Sequence, residues 1–94
     1  MKKLKLGQVV VTRGVHEAMS SDIHFADFVR RSLEKHVNLD WGDTCAEDKA
    51  LNDFAVKNGE RVLAVYNYSD DSQTIWIVTE WDRSVTTVLF PHEY

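Results

Sequence analysis

The sequence predicts an α+β fold, with its elements in the order β-α-α-β-β-β. Three observations predict it. A β-branched run opens the chain, two middle stretches repeat apolar residues at helical spacing, and the last third alternates strand-forming runs with short polar turns. Strands joined by short turns form an antiparallel meander. The expected architecture is therefore an antiparallel sheet of three to four strands with two helices packed on one face. Ninety-four residues, 44% hydrophobic and with ten Trp, Tyr and Phe, suffice for one core. No Pro/Gly/Ser-rich linker interrupts them, so residues 1–94 read as a single domain.

The first strand is LGQVVVT, Leu6–Thr12, broken by Arg13–Gly14. VHEAMS, which follows, can form one or two helical turns, and Ser20, Ser21 and Asp22 are N-cap candidates for the helix after it. From Ile23 to Val37 the apolar residues Phe25, Phe28, Val29, Leu33 and Val37 make the stripe of an amphipathic helix, with Arg30, Arg31, Glu34 and Lys35 opposite. Thr44 and Glu47 have the spacing of a capping box for the next helix, and Asp43, Glu47 and Asp48 suit the positive end of its dipole. Ala46, Ala50, Leu51, Phe54 and Ala55 form its expected buried face, and Asn58–Gly59 its end. RVLAVYNY (Arg61–Tyr68), TIWIVTE (Thr74–Glu80) and VTTVLF (Val85–Phe90) are the meander strands, linked by SDDSQ and WDRS and stopped by Pro91. The middle one is apolar on both faces, so it belongs at the centre, with helices on one side and aromatics shielding the other.

The net charge is −4, which argues against a general nucleic-acid binder. The charge is uneven: residues 1–35 hold seven Lys/Arg against four Asp/Glu, and residues 36–94 hold four against eleven. Such asymmetry biases the surface electrostatically. The single cysteine, Cys45, fits a reducing compartment. The basic start is followed by an apolar run of only Val9–Val11, too short for a secretory signal, and no stretch approaches the roughly 18 apolar residues that span a bilayer. A cytoplasmic protein with no membrane contact is expected.

Two polar clusters invite a chemical reading. LDWGDTCAEDKALND, Leu39–Asp53, fails the alternate-oxygen spacing of a calcium loop, because Trp41–Gly42 separates Asp40 from Asp43. A looser set of His36, Asp40, Asp43 and Glu47 would be needed for a metal, whereas helix capping and a solvated acidic face account for the same residues. No metal and no cofactor is expected. Asp40, Trp41 and Asp43 remain as a partner-binding set, in which Trp41 is either a contact anchor or a core plug. Cys45 has no recognisable His base and reads as an incidental thiol. In TEWDRSVTT, Asp82 caps a turn and Arg83 pairs with Glu80 or Asp82. The chemical alternative joins Glu80, Arg83 and His92 as base, cation and acid for metal-independent RNA cleavage.

DWGD, EDKALND and WIVTEWDRSVTTVLFPHEY (Trp76–Tyr94) together resemble a family of short bacterial proteins carried on plasmids and phage-like elements. The resemblance extends to LGQVVVTRGV at the start. It implies a mobile-element context and no defined activity. The chain departs from that pattern at Trp81, where a small residue is usual, and at Val78, where Ile is usual. A bulky Trp81, with Asp82, enlarges a contact surface of this member. The element order and length also resemble RelE-type ribonuclease toxins, although the acidic balance is unlike their basic RNA grip. The expectation is a small non-enzymatic protein that binds or regulates a protein partner, itself included. An RNA-binding or RNA-cleaving domain is the alternative.

Overall fold

The computed structural model describes residues 3–69 and 73–94. Its elements are β1 (Gln8–Val11), α1 (Arg13–Ser21), α2 (Ile23–Val37), α3 (Ala46–Asn58), β2 (Val62–Tyr68), β3 (Gln73–Thr79) and β4 (Val85–Leu89), with a 3-10 turn at Pro91–Glu93. The fold is α+β. Within the turn expected at SDDSQ, residues 70–72 lie outside the described residues.

The sheet has the order β1-β4-β3-β2. β2, β3 and β4 form the antiparallel meander, with Ile77 paired to Ala64 on one side and Val88 on the other. The first strand joins the sheet, and it corrects the expectation of a purely antiparallel one: β1 runs parallel to β4, Gln8 opposite Val85 and Val11 opposite Val88. The meander leaves the outer edge of β4 open, and β1 fills it. The chain returns to β2 only after three helices, which makes this a crossover connection of the kind parallel neighbours require.

Among the described residues three helices form, not two. VHEAMS belongs to the nine-residue α1, because Thr12 caps it by accepting a hydrogen bond from the Val15 N–H at 3.4 Å. Arg13–Gly14 breaks the strand by opening this helix. Asp22 caps α2, its Oδ1 accepting from His24 and Phe25 N–H. α3 ends as its sequence indicates, on Gly59 at φ 65.

One face of the sheet carries the main core. Val62, Ala64, Tyr66, Ile75, Ile77 and Val88 pack beneath Val15, Phe25, Val29, Trp41 and Ala55, with Leu4 closing one end. Fully burying a side chain of this kind contributes about 1.5–3 kcal/mol. The opposite face holds buried Val78 and Leu89 and is shielded by Trp76, whose ring meets that of Tyr94 edge-on at 5.4 Å. Arg61 lies over the Tyr94 ring and donates to its hydroxyl at 2.6 Å. The Tyr94 end is tied back by Glu93. Its Oε1 accepts from the Thr12 hydroxyl and the Phe90 N–H, and its Oε2 from the Gly14 N–H in the first turn of α1.

Two expectations about α3 fail together. Thr44 and Glu47 make no capping box: Cys45 is the N-cap, without a side-chain hydrogen bond. Of the expected buried face only Ala55 is buried; Ala46 and Ala50 are exposed, Leu51 is 63% exposed and Phe54 54%. Asn52 points inward instead.

Candidate functional site

An edge strand presents a row of unpaired N–H and C=O groups, and β2 is one. Its outward-facing groups belong to Leu63, Val65 and Asn67, and the Leu39–Asp53 stretch satisfies them. Gly42 forms a parallel bridge to Val65, and the Asp43 N–H donates to the Val65 carbonyl at 2.8 Å. The Val65 N–H donates to the Thr44 hydroxyl oxygen at 2.8 Å, and the Asn67 N–H to Asp43 Oδ2 at 2.8 Å. Asn52 completes the plug, its Nδ2 donating to the Leu63 carbonyl at 2.9 Å and its Oδ1 accepting from the Leu63 N–H at 3.3 Å. Thr44 therefore caps a strand rather than its own helix. Gly42 sits at φ 59, and a Cβ there would lie 2.4 Å from the Tyr66 ring. No side chain fits the approach.

The structure assigns architectural contacts to each loop residue singled out from the sequence. Trp41 is 4% exposed; its Nε1 donates to Asp53 Oδ1 at 2.9 Å and its ring meets His36 edge-on at 5.3 Å. It is the core plug. Asp40 Oδ1 accepts from the Gly42 N–H, and Asp43 holds Asn67. Cys45 is an exposed thiol. Among the described residues, no three His, Cys, Asp or Glu side chains gather so as to hold a metal ion.

Glu80 and His92 border different hollows, and Arg83 is turned to backbone carbonyls. Arg83 adopts φ 60 and spends its guanidinium on three carbonyls: Glu60 at 2.6 Å, Glu80 at 3.1 Å and Ala55 at 3.0 Å. It locks the β3–β4 turn to the C-terminal end of α3. Glu80 pairs with Arg61 at 3.4 Å and lines the hollow beneath Tyr94. His92 stacks on Phe90 and borders a separate hollow with Gln73 and Thr74. Asp82 caps its own turn, Oδ1 accepting from the Ser84 hydroxyl and then its N–H, which hold its carboxyl below the usual range. Trp81 is 66% exposed at the tip of that turn.

Two features escaped the sequence reading. The first is the outward face of α3. Leu51 and Phe54 border a groove of about 410 Å³ between α3 and the start of β2, with Asp48 and Glu60 also lining it. Arg61 lines it too, but its guanidinium is held by Tyr94 and Glu80. The second is a buried polar chain around His36, a residue with no exposed surface. Its Nδ1 contacts the Tyr66 hydroxyl at 3.1 Å and its Nε2 the Thr79 hydroxyl at 3.0 Å. Burial, and then the Arg83 charge, push its pKa down to about 4. Burial, with Asp40 and Asp43 nearby, pushes the Tyr66 hydroxyl up. The His36 signal was present in the sequence, since it follows Val29 at helical spacing on the buried face.

Fold and site together define an α+β protein whose sheet is closed at β2 by a loop and helix, leaving an apolar helix face outside. No family model, no curated protein and no solved structure matches the chain.

Proposed function

We propose that this chain is a small non-enzymatic binding protein that takes a protein partner on the groove between α3 and β2. The inversion of α3 carries the reading. A helix that turns Asn52 inward and Leu51 and Phe54 outward leaves apolar area whose burial the fold does not supply. With Arg61 neutralised from within, the groove's remaining charges are Asp48 and Glu60, so the fitting partner is a segment with apolar anchors flanked by Lys or Arg. A regulatory role of the mobile-element kind is the context its motifs support by resemblance, and the single cysteine fits a cytoplasmic setting. Among the described residues no helix is long and apolar enough to cross a membrane. The RNA-cleaving alternative is less well supported, because Arg83 is engaged by carbonyls. Of the residues proposed for contact, Trp81 with Asp82 offers a second exposed patch, whereas Asp43 serves the β2 edge, Asp40 its own loop and Trp41 the core.

Selection of a random-peptide library on the intact chain tests the proposal. The expected winners carry apolar residues at helical spacing with basic flanks, and lose at least tenfold in affinity to Phe54→Asp and in high salt. No enrichment, or winners indifferent to Phe54, would refute it.

A further inference from the structure

The polar chain through the core runs between two backbone carbonyls. The Tyr66 hydroxyl donates to the Asp40 carbonyl at 2.9 Å, and the Thr86 hydroxyl donates to the Leu6 carbonyl at 2.8 Å. Between these ends lie three further contacts: Tyr66 hydroxyl to His36 Nδ1 at 3.1 Å, His36 Nε2 to Thr79 hydroxyl at 3.0 Å, and Thr79 hydroxyl to Thr86 hydroxyl at 2.8 Å. Each contact needs one proton. A carbonyl has none to give, and a hydroxyl has one. Moving the Thr86 proton to Thr79, which the geometry also allows, only transfers the shortfall to the Leu6 carbonyl, so the protons of Tyr66 and Thr86 are assigned to the carbonyls. The three inner contacts must then be served by His36 and Thr79 alone.

Neutral imidazole brings one proton and Thr79 one, so two protons face three contacts. With the proton on Nδ1, Thr79 satisfies either Nε2 or Thr86 and leaves the other bare. With the proton on Nε2, Thr79 satisfies Thr86, and Nδ1 meets the Tyr66 oxygen lone pair to lone pair. Every arrangement leaves one contact repulsive. Imidazolium brings two protons, and all five contacts close in one direction on each side of the ring. A half-satisfied buried network is costly, and a completed one rigidifies what it joins.

We infer that His36 is a proton-binding site built into the core, and that protonation completes a hydrogen-bonded tie from the Asp40 loop through α2, β2, β3 and β4 to the N-terminal segment at Leu6. The groups around it set the sign. Arg83, from the β3–β4 turn, opposes the proton, as does burial; Asp40 and Asp43, from the loop, lie on the Tyr66 side. β3 and β4 face it with threonine hydroxyls, and Trp41 with an uncharged ring. Hydrogen bonds from both nitrogens favour the charged form and work against burial.

Nitrogen-15 NMR of the His36 ring in the intact chain, titrated from pH 7 downward, tests this. Below the midpoint both ring nitrogens are expected to hold slowly exchanging protons. Thr86→Val removes one inner contact, so the two protons of neutral His36 and Thr79 suffice for the remaining two. Its midpoint should fall by about one unit, a tenfold loss of proton affinity, while Thr86→Ser keeps the native midpoint. A Thr86→Val midpoint equal to or above that of Thr86→Ser overturns the inference. If Thr86→Val does not fold, the native ring decides: one nitrogen remaining bare at every pH where the chain is folded overturns it equally.

Discussion

Replacing Asn52 with Ala should open the β2 edge. The side chain is 5% exposed and makes two hydrogen bonds to Leu63, one to its carbonyl and one from its N–H. Each backbone group left without a partner costs roughly 1–3 kcal/mol, and these are part-buried, which places them at the lower end. Alanine returns about 0.6 kcal/mol through its higher helix propensity. The net loss is about 2 kcal/mol. For a domain of this size roughly 4–8 °C of melting temperature accompany each kcal/mol, so the midpoint should fall by about 8–16 °C. Urea denaturation and thermal melting both read this. Asn52→Asp is the sharper companion: it keeps the acceptor but sets a carboxylate against the Leu63 carbonyl. It should be at least as unstable as the alanine variant at pH 7 and recover as acid gives it a proton to donate. A loss under about 0.5 kcal/mol for Asn52→Ala, with no pH dependence in Asn52→Asp, would refute the edge-closing role and make Asn52 mere packing.

Other expectations follow from single contacts. Gly42→Ala should cost about 2–4 kcal/mol in urea denaturation, because a left-handed residue there also drives a methyl into Tyr66. Arg83→Lys should destabilise by about 1–2 kcal/mol, since an ammonium cannot reproduce the planar fork across the Ala55, Glu60 and Glu80 carbonyls. The carboxyl of Glu93 is held low by the Thr12 hydroxyl first and the Phe90 and Gly14 N–H groups after it. Its contribution is therefore full above the ordinary 4.5 and lost as pH falls through the lower folded value, and Glu93→Gln should flatten that part of the stability–pH curve. His36 behaves with the same sign for a different reason: its folded pKa near 4 lies below its ordinary 6.5, so the unfolded chain binds more protons between the two. Stability should be full above 6.5 and fall by up to about 3 kcal/mol toward pH 4, a slope that His36→Asn removes.

The legible parts of this fold were those set by local periodicity and turn chemistry. Phe25 and Val29 marked the inner face of α2, Asp22 its start and Gly59 the end of α3, and the alternation of Ile75 and Ile77 with Trp76 and Val78 marked a strand covered on both sides. The direction of β1 was not legible, because a parallel partner some 75 residues away leaves no trace in a strand's own pattern; only the pairing of Gln8 with Val85 reveals it. Thr44 was misread for a related reason. Its hydroxyl could cap the next helix or a distant strand, and the strand's unpaired Val65 N–H claimed it. The Thr79 and Thr86 hydroxyls read as ordinary strand residues until the sheet set them side by side under His36.

The misreading of α3 has a single geometric cause. Successive residues on a helix are separated by about 100°, so turning Asn52 and Ala55 onto β2 fixes the direction of every neighbour. Leu51 lies one step behind Asn52, and Phe54 one step behind Ala55, which rotates both away from the sheet. Had the helix buried Leu51 and Phe54 instead, the side-chain amide that satisfies Leu63 would face water and the strand edge would stand open. The fold gives up the burial of a Leu and a Phe to close a hydrogen-bonding edge with one Asn. Local and global preference disagree there, and such disagreement marks positions whose residue types answer to something other than the monomer's own stability. At 51 and 54 this monomer leaves more than half of each residue's surface in water. That apolar residues stand there, beside Asp48 and Glu60, is the reason to look for a partner on this face before any other.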